Sequence, residues 1–134
     1  MTAFEIRIAA GEADNDELGH VNNAVWVRWI QDVATAHWNA VAPAAHRQSC
    51  IWVVTRHEVD YLRSVTAGET VTARTWVADA SRGARFDRHV EFVGEDGKPR
   101  VRARTTWALL DKASGRPLRV PSQVTASFLA LQEP

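Results

Sequence analysis

The chain has 134 residues, 46% hydrophobic and 24% charged, with sixteen basic residues balancing sixteen acidic ones. That length supports one hydrophobic core, not two, and the composition is globular, so residues 1–134 are read as a single domain. Zero net charge argues against a non-specific nucleic-acid binder, and a lone cysteine, Cys50, permits neither an intrachain disulfide nor a multi-cysteine metal site. No stretch nears the ~20 apolar residues of a membrane span and no signal-peptide core opens the chain, so no membrane partner and a cytoplasmic location are expected.

Phe4, Ile6 and Ile8 alternate with Glu5 and Arg7, the period-2 pattern of a half-buried strand. Residues 11–21, rich in Asp, Asn and Gly, read as a loop, and Asn22 or Asn23 suits a helix N-cap. Over residues 24–41 the pattern turns helical. Arg28, Gln31, Asp32, Thr35 and Asn39 form one narrow polar stripe, while Val25, Trp26, Val27, Trp29, Ile30, Val33 and Trp38 cover most of the remaining circumference. A helix apolar over so much of its surface has to be enclosed. Pro43 closes the segment.

The second half reads as strands at residues 51–62, 69–80, 84–93 and 99–110, with glycine-bearing turns at Ser81-Arg82-Gly83 and Glu95-Asp96-Gly97-Lys98. A further turn falls at 113–116, and residues 121–131 suit a short helix or a last strand. The order predicts an α+β fold in which a twisted antiparallel meander wraps around one long helix. Trp52, Leu62, Trp76, Ala108 and Leu110 fall on the phase opposite the inner residues. They predict an outer face that packs against another subunit.

The segment Asp14-Asn15-Asp16-Glu17-Leu18-Gly19-His20-Val21-Asn22-Asn23 stands directly before that helix. A helix N-terminus carries unpaired N–H groups and a partial positive charge, ready to hold an oxygen that becomes anionic, and an acidic side chain just upstream can lie across the same carbon. Asp-x-x-Gly-His-Val-Asn-Asn, followed two residues later by Trp26, resembles the signature of hotdog-fold acyl-CoA thioesterases of the 4-hydroxybenzoyl-CoA thioesterase type. The order of elements resembles that fold from about Phe4 to Phe128.

The resemblance implies hydrolysis of a coenzyme A or acyl carrier protein thioester, with Asp16 as general base or nucleophile. The leaving thiolate, from a thiol of pKa about 8.5, needs little acid assistance. The resemblance also implies an oxyanion donor at the Asn23 N–H and close backbone approach at Gly19. It further implies homodimers or homotetramers with sites between subunits, and a substrate that is itself the coenzyme A thioester, with no further cofactor. Plant acyl-carrier-protein thioesterases share a related Asp-x-Asn-x-His element; Asp16 and His20 match it, while Leu18 stands at its Asn and Trp26 replaces the common Tyr at the end of the motif.

His20 suits either a carbonyl or water contact or a structural bond within the loop, Asn22 an N-cap with substrate contact second, and Asp14 a loop-organising role. His37, and His57 in phase with Val53 and Val59, read as core histidines, and Cys50 as a small buried residue. Coenzyme A phosphates need a local basic patch. Arg82 and Arg85, with Arg88, surround one turn beside Gly83, and Arg100, Arg102 and Arg104 line the next strand. Trp26, Trp29, Trp38 and Trp52 are candidates for an aromatic pocket. Two other readings remain: a non-catalytic acyl-CoA-binding module, and a hotdog-fold enoyl-CoA hydratase or dehydratase.

Overall fold

The computed structural model describes residues 3–78 and 80–132. Strand β1 (Phe4–Ala9) leads through one 3-10 turn (Glu12–Asp14) to helix α1 (Asn23–Val41) and the short α2 (Ala44–Ser49). Strands β2 (Cys50–Tyr61), β3 (Thr70–Val77), β4 (Arg85–Val93) and β5 (Pro99–Asp111) come next, and α3 (Ser122–Gln132) closes the order. Of the two readings for residues 121–131 the helix is the one found, beginning at Ser122.

Helix α1 starts where Asn22, in an extended conformation, accepts the Ala24 N–H on Oδ1 at 2.9 Å. It stops at Ala42, also extended, because the residue before a proline is pushed out of the helical region. Trp26, Trp29, Ile30, Val33, Ala34, His37 and Trp38 are buried, whereas the polar stripe from Arg28 to Asn39 faces outward.

The sheet has the order β1-β3-β4-β5-β2, with every neighbouring pair antiparallel. A simple meander is therefore realised only over β3, β4 and β5. Strand β2 leaves it and pairs with β5 at the far edge. The eight residues 62–69 are too long for a tight hairpin. They cross the end of the sheet beneath the start of α1, where Leu62 and Arg63 both donate to the Arg100 carbonyl and Val21 donates to Val65 at 2.8 Å. The sheet with α1 enclosed is the hotdog arrangement.

A register shift between Val54 and Arg56 corrects the expected facing of β2. Trp52 lies opposite Leu109 and packs inward against Trp38 and Phe128, while Val53 lies opposite Ala108 and faces out. Beyond the shift, His57 and Val59 lie opposite Thr105 and Ala103 on the inner face. One inserted residue reverses the alternation, so Trp52 belongs to the core and Val53 does not share a face with His57. Trp76 does lie outside, stacked on His89 at 5.5 Å.

The interior has two clusters along α1. Trp26, Trp29, Ile30 and Val33 meet Phe92 and Val101 towards the helix start. Trp38 meets Phe86, Leu109 and Phe128 of α3 towards its end. No helix among the described residues is long and apolar enough to cross a membrane.

Candidate active site

The acidic loop is a set of interlocking turns. The Asp16 N–H donates to the His20 carbonyl at 2.7 Å and the Gly19 N–H to the Asp16 carbonyl at 3.1 Å. Gly19 closes this turn at φ 77°, a left-handed conformation that an L side chain resists. Oδ1 of Asp16 accepts the N–H groups of Leu18 at 2.9 Å and His20 at 3.2 Å, and Oδ2 has no hydrogen-bond partner among the described residues. The carboxylate is solvent-exposed, and Leu18 at the loop tip is 79% exposed.

Asp14 organises the segment: Oδ2 accepts the Gly11 N–H at 2.9 Å, Oδ1 meets Arg28 Nη2 at 3.2 Å, and its carbonyl accepts the Asn22 N–H. His20 is half-buried and bridges Thr66 through the backbone. At the helix start the Ala24 N–H is taken by the Asn22 side chain, and the Val25 N–H by the Asn22 carbonyl. The Asn23 N–H has no acceptor among the described residues. Tyr61, at the end of β2, donates to the Asn23 carbonyl at 3.4 Å and so ties that strand end to the helix start.

The remaining sequence-derived candidates lie elsewhere. Trp26 is buried, edge-on to both Trp29 and Phe92, and forms part of the core. Arg82 and Arg85 flank the β3–β4 turn, at the end of the sheet opposite the acidic loop. The eight residues of β3 alone separate the two ends by about 25 Å.

Arg82 grips Asp87 through two hydrogen bonds, at 2.8 and 3.2 Å, and Asp87 also accepts from Arg104 and Thr106. These bonds, Arg82 first, hold the Asp87 carboxyl well below the usual carboxylate range. Arg102 pairs with Glu91, and Arg100 with Asp96. The Arg ladder of β5 is thus occupied by carboxylates. Arg85 is exposed and has no ion pair among the described residues.

A cavity of about 240 Å³ opens at this second end, lined by Trp38, Trp52, Phe86, Trp107 and Phe128. Exposed Thr35, Asn39, Arg47 and Lys112 stand at its opening, and half-buried Cys50 is on its wall. Of the four tryptophans expected to form a pocket, Trp38 and Trp52 do so; Trp26 and Trp29 fill the other core cluster.

Arg88 also lines this cavity, although its place in the sequence groups it with the turn arginines. Alternation holds the signal that separates it: Arg88 shares its phase with Phe86, Val90 and Phe92, all inner residues. Its Nη1 reaches His37 Nδ1 and Thr75 Oγ1, both at 2.9 Å, and its guanidinium lies 5.1 Å from the Phe128 ring centre. His37 is fully buried and stacked on Phe4; burial, then the Arg88 charge, lowers its pKa from 6.5 to about 3. Burial also lowers His57.

Against known proteins, residues 11–128 match the thioesterase-like superfamily. Palmitoyl-acyl carrier protein thioesterases of Gossypium hirsutum and Arabidopsis thaliana, both chloroplastic, are 35% and 31% identical over 83 residues, 61% of this chain. The chain spans about a fifth of the length of these curated relatives. Among solved structures, a thioesterase from Thermus thermophilus in complex with coenzyme A and zinc is 24% identical with a TM-score of 0.83, over 97% of this chain and 95% of that one. A 1,4-dihydroxy-2-naphthoyl-CoA thioesterase from Synechocystis is 14% identical with a TM-score of 0.81, over 98% and 99%. With the family match running from the acidic loop to Phe128, the chain belongs to the thioesterase-like superfamily.

Proposed function

We propose that this protein hydrolyses an acyl thioester, with Asp16 as the catalytic carboxylate and the Asn23 N–H as the oxyanion donor. The supporting observation is the pair of unused groups at the loop–helix junction: Oδ2 of Asp16 and the N–H of Asn23 have no partner among the described residues. A base and a donor at the positive end of a helix are what addition to a thioester carbonyl requires. Asp16 takes a proton from a water that attacks the carbonyl carbon, or attacks that carbon itself to form an acyl-aspartyl anhydride that water then cleaves. In both routes the oxygen takes negative charge against the Asn23 N–H and collapse expels the thiolate. Gly19 keeps the backbone low beside the carbonyl, and the half-buried His20 holds the turn that aims Asp16.

In one chain this junction and the cavity belong to opposite ends of α1, about 22 Å apart along its axis between Asn23 and Trp38. A second copy brings them together. Strand β2 is an edge of twelve residues, about 40 Å long, with Ile51 46% exposed and Tyr61 45% exposed. An edge of that length calls for a partner. Antiparallel pairing of β2 with its symmetry mate sets the Cys50 end, which walls the cavity, beside the partner's Tyr61 end, which contacts Asn23.

Each site then takes its acid from one protomer and its acyl pocket from the other, with Arg85 of the pocket protomer offered to the coenzyme A phosphates. The substrate is a coenzyme A or acyl carrier protein thioester. Thiol release from a panel of both kinds tests the reading: cleavage supports it, and binding without release makes the protein an acyl-CoA-binding module instead.

A further inference from the structure

Unused hydrogen-bond donors lie on the cavity wall and directly behind it. Arg88 carries five N–H groups, of which Nη1 serves His37 and Thr75, while Nε and Nη2 have no partner among the described residues. His37 accepts from Arg88 on Nδ1, so its proton is on Nε2, and that atom is buried without a partner. The indole Nε1 of Trp52, on the cavity wall, is likewise buried without an acceptor. Trp107 is satisfied, donating to Thr105 at 2.8 Å.

Charge is unbalanced in the same sense. Arg88 is only 4% exposed, yet no carboxylate among the described residues lies within ion-pair distance of it. Asp87, next in sequence, also borders the cavity, but its carboxylate is held by Arg82 and Arg104. Burial lowers Arg88 to about 9, which still leaves it protonated at neutral pH. A buried cation without an ion-pair partner of its own is costly, and the cost falls when a ligand brings the anion. Arg47 and Lys112 at the opening add positive charge. The walls are flat aromatic rings, and a dry cavity of about 150 Å³ already accepts a benzene.

We propose that Arg88 determines acyl specificity by binding an anionic substituent, a carboxylate, at the far end of an aromatic acyl group seated between Trp38, Trp52 and Phe128. The inference rests on the thioesterase reading for its substrate, a thioester of an aromatic dicarboxylic acid, but the recognition itself is independent of hydrolysis. Such a thioester enters ring first. Its free carboxylate meets Nε and Nη2 of Arg88, and its thioester carbonyl remains at the opening.

The test compares 4-carboxybenzoyl-CoA with 4-methylbenzoyl-CoA, which match in shape and differ in charge. Wild-type protein should favour the carboxylate in kcat/KM, and Arg88→Met should shift that ratio towards the methyl compound by roughly 10- to 100-fold. Arg88→Lys should retain part of the preference. An unchanged ratio in Arg88→Met, or wild-type preference for the methyl compound, overturns the proposal.

Binding of benzoate against benzamide to the wild-type protein, read by tryptophan fluorescence, needs neither a variant nor catalysis. At least tenfold tighter binding of benzoate supports the assignment, and equal affinity contradicts it. Benzoate selectivity without cleavage of any thioester would keep the anion site and remove the hydrolase reading. Hydrolysis that depends on Asp16 but ignores acyl charge would do the reverse.

Discussion

Asp16 and His20 clasp each other through the backbone: the Asp16 N–H reaches the His20 carbonyl at 2.7 Å, and the His20 N–H returns to Oδ1 of Asp16 at 3.2 Å. The clasp fixes both the position of the carboxylate and which of its oxygens stays free. It depends on Gly19, at φ 77° with open space where a Cβ would stand, so a substitution there acts through conformation and not through a clash.

Gly19→Ala is therefore expected to cost about 1–2 kcal/mol of local conformational energy and to lower kcat/KM more than it lowers the melting temperature. Gly19→Asn should fall between Ala and wild type, because Asn tolerates the left-handed region better. Equal activity of all three would show that the clasp does not aim Asp16.

Acid should weaken the fold through His37. The unfolded chain binds that proton near 6.5 and the folded protein only near 3, so its contribution is full above 6.5 and is lost progressively as pH falls towards 3. Between pH 7 and pH 5 the loss from this one group is about 2 kcal/mol. His57, also lowered by burial, adds in the same direction. Urea unfolding at the two pH values measures it. His37→Gln, which keeps an acceptor for Arg88, should flatten the dependence; an unchanged slope in that variant would mean that His37 titrates normally in the fold.

The β2 edge makes a prediction about assembly. A charge at its outward face, Val53→Lys, should convert the protein from dimers or larger assemblies to single chains in light scattering and remove activity with the same stroke. Wild-type protein that is monomeric and fully active would exclude a site shared between subunits.

Most of the fold was legible because its signals are local. The polar stripe from Arg28 to Asn39 gave α1 its bounds within one residue, and alternation with glycine turns located all five strands. Two features were not legible, for physical reasons. The register shift after Val54 inserts one residue without a glycine or proline to mark it, so Trp52 and Val53 exchanged faces. The placement of β2 beside β5 is a long-range pairing, hinted at only by the length of the 62–69 connection. At the site, the acidic motif pointed to the loop and the helix start. It could not show that the aromatic-lined cavity opens at the other end of α1, and Arg88 was hidden by its neighbours Arg82 and Arg85 until the phase of β4 separated them.

The central claim concerns one carboxylate. Its most direct test is kcat/KM of Asp16→Asn on the best-cleaved acyl thioester, with circular dichroism confirming that the variant folds. Asn keeps an oxygen for the Leu18 and His20 N–H groups but supplies neither a base nor a nucleophile, so the rate should fall roughly 100-fold or more. A folded Asp16→Asn variant that hydrolyses the substrate within a fewfold of wild type would contradict the assignment.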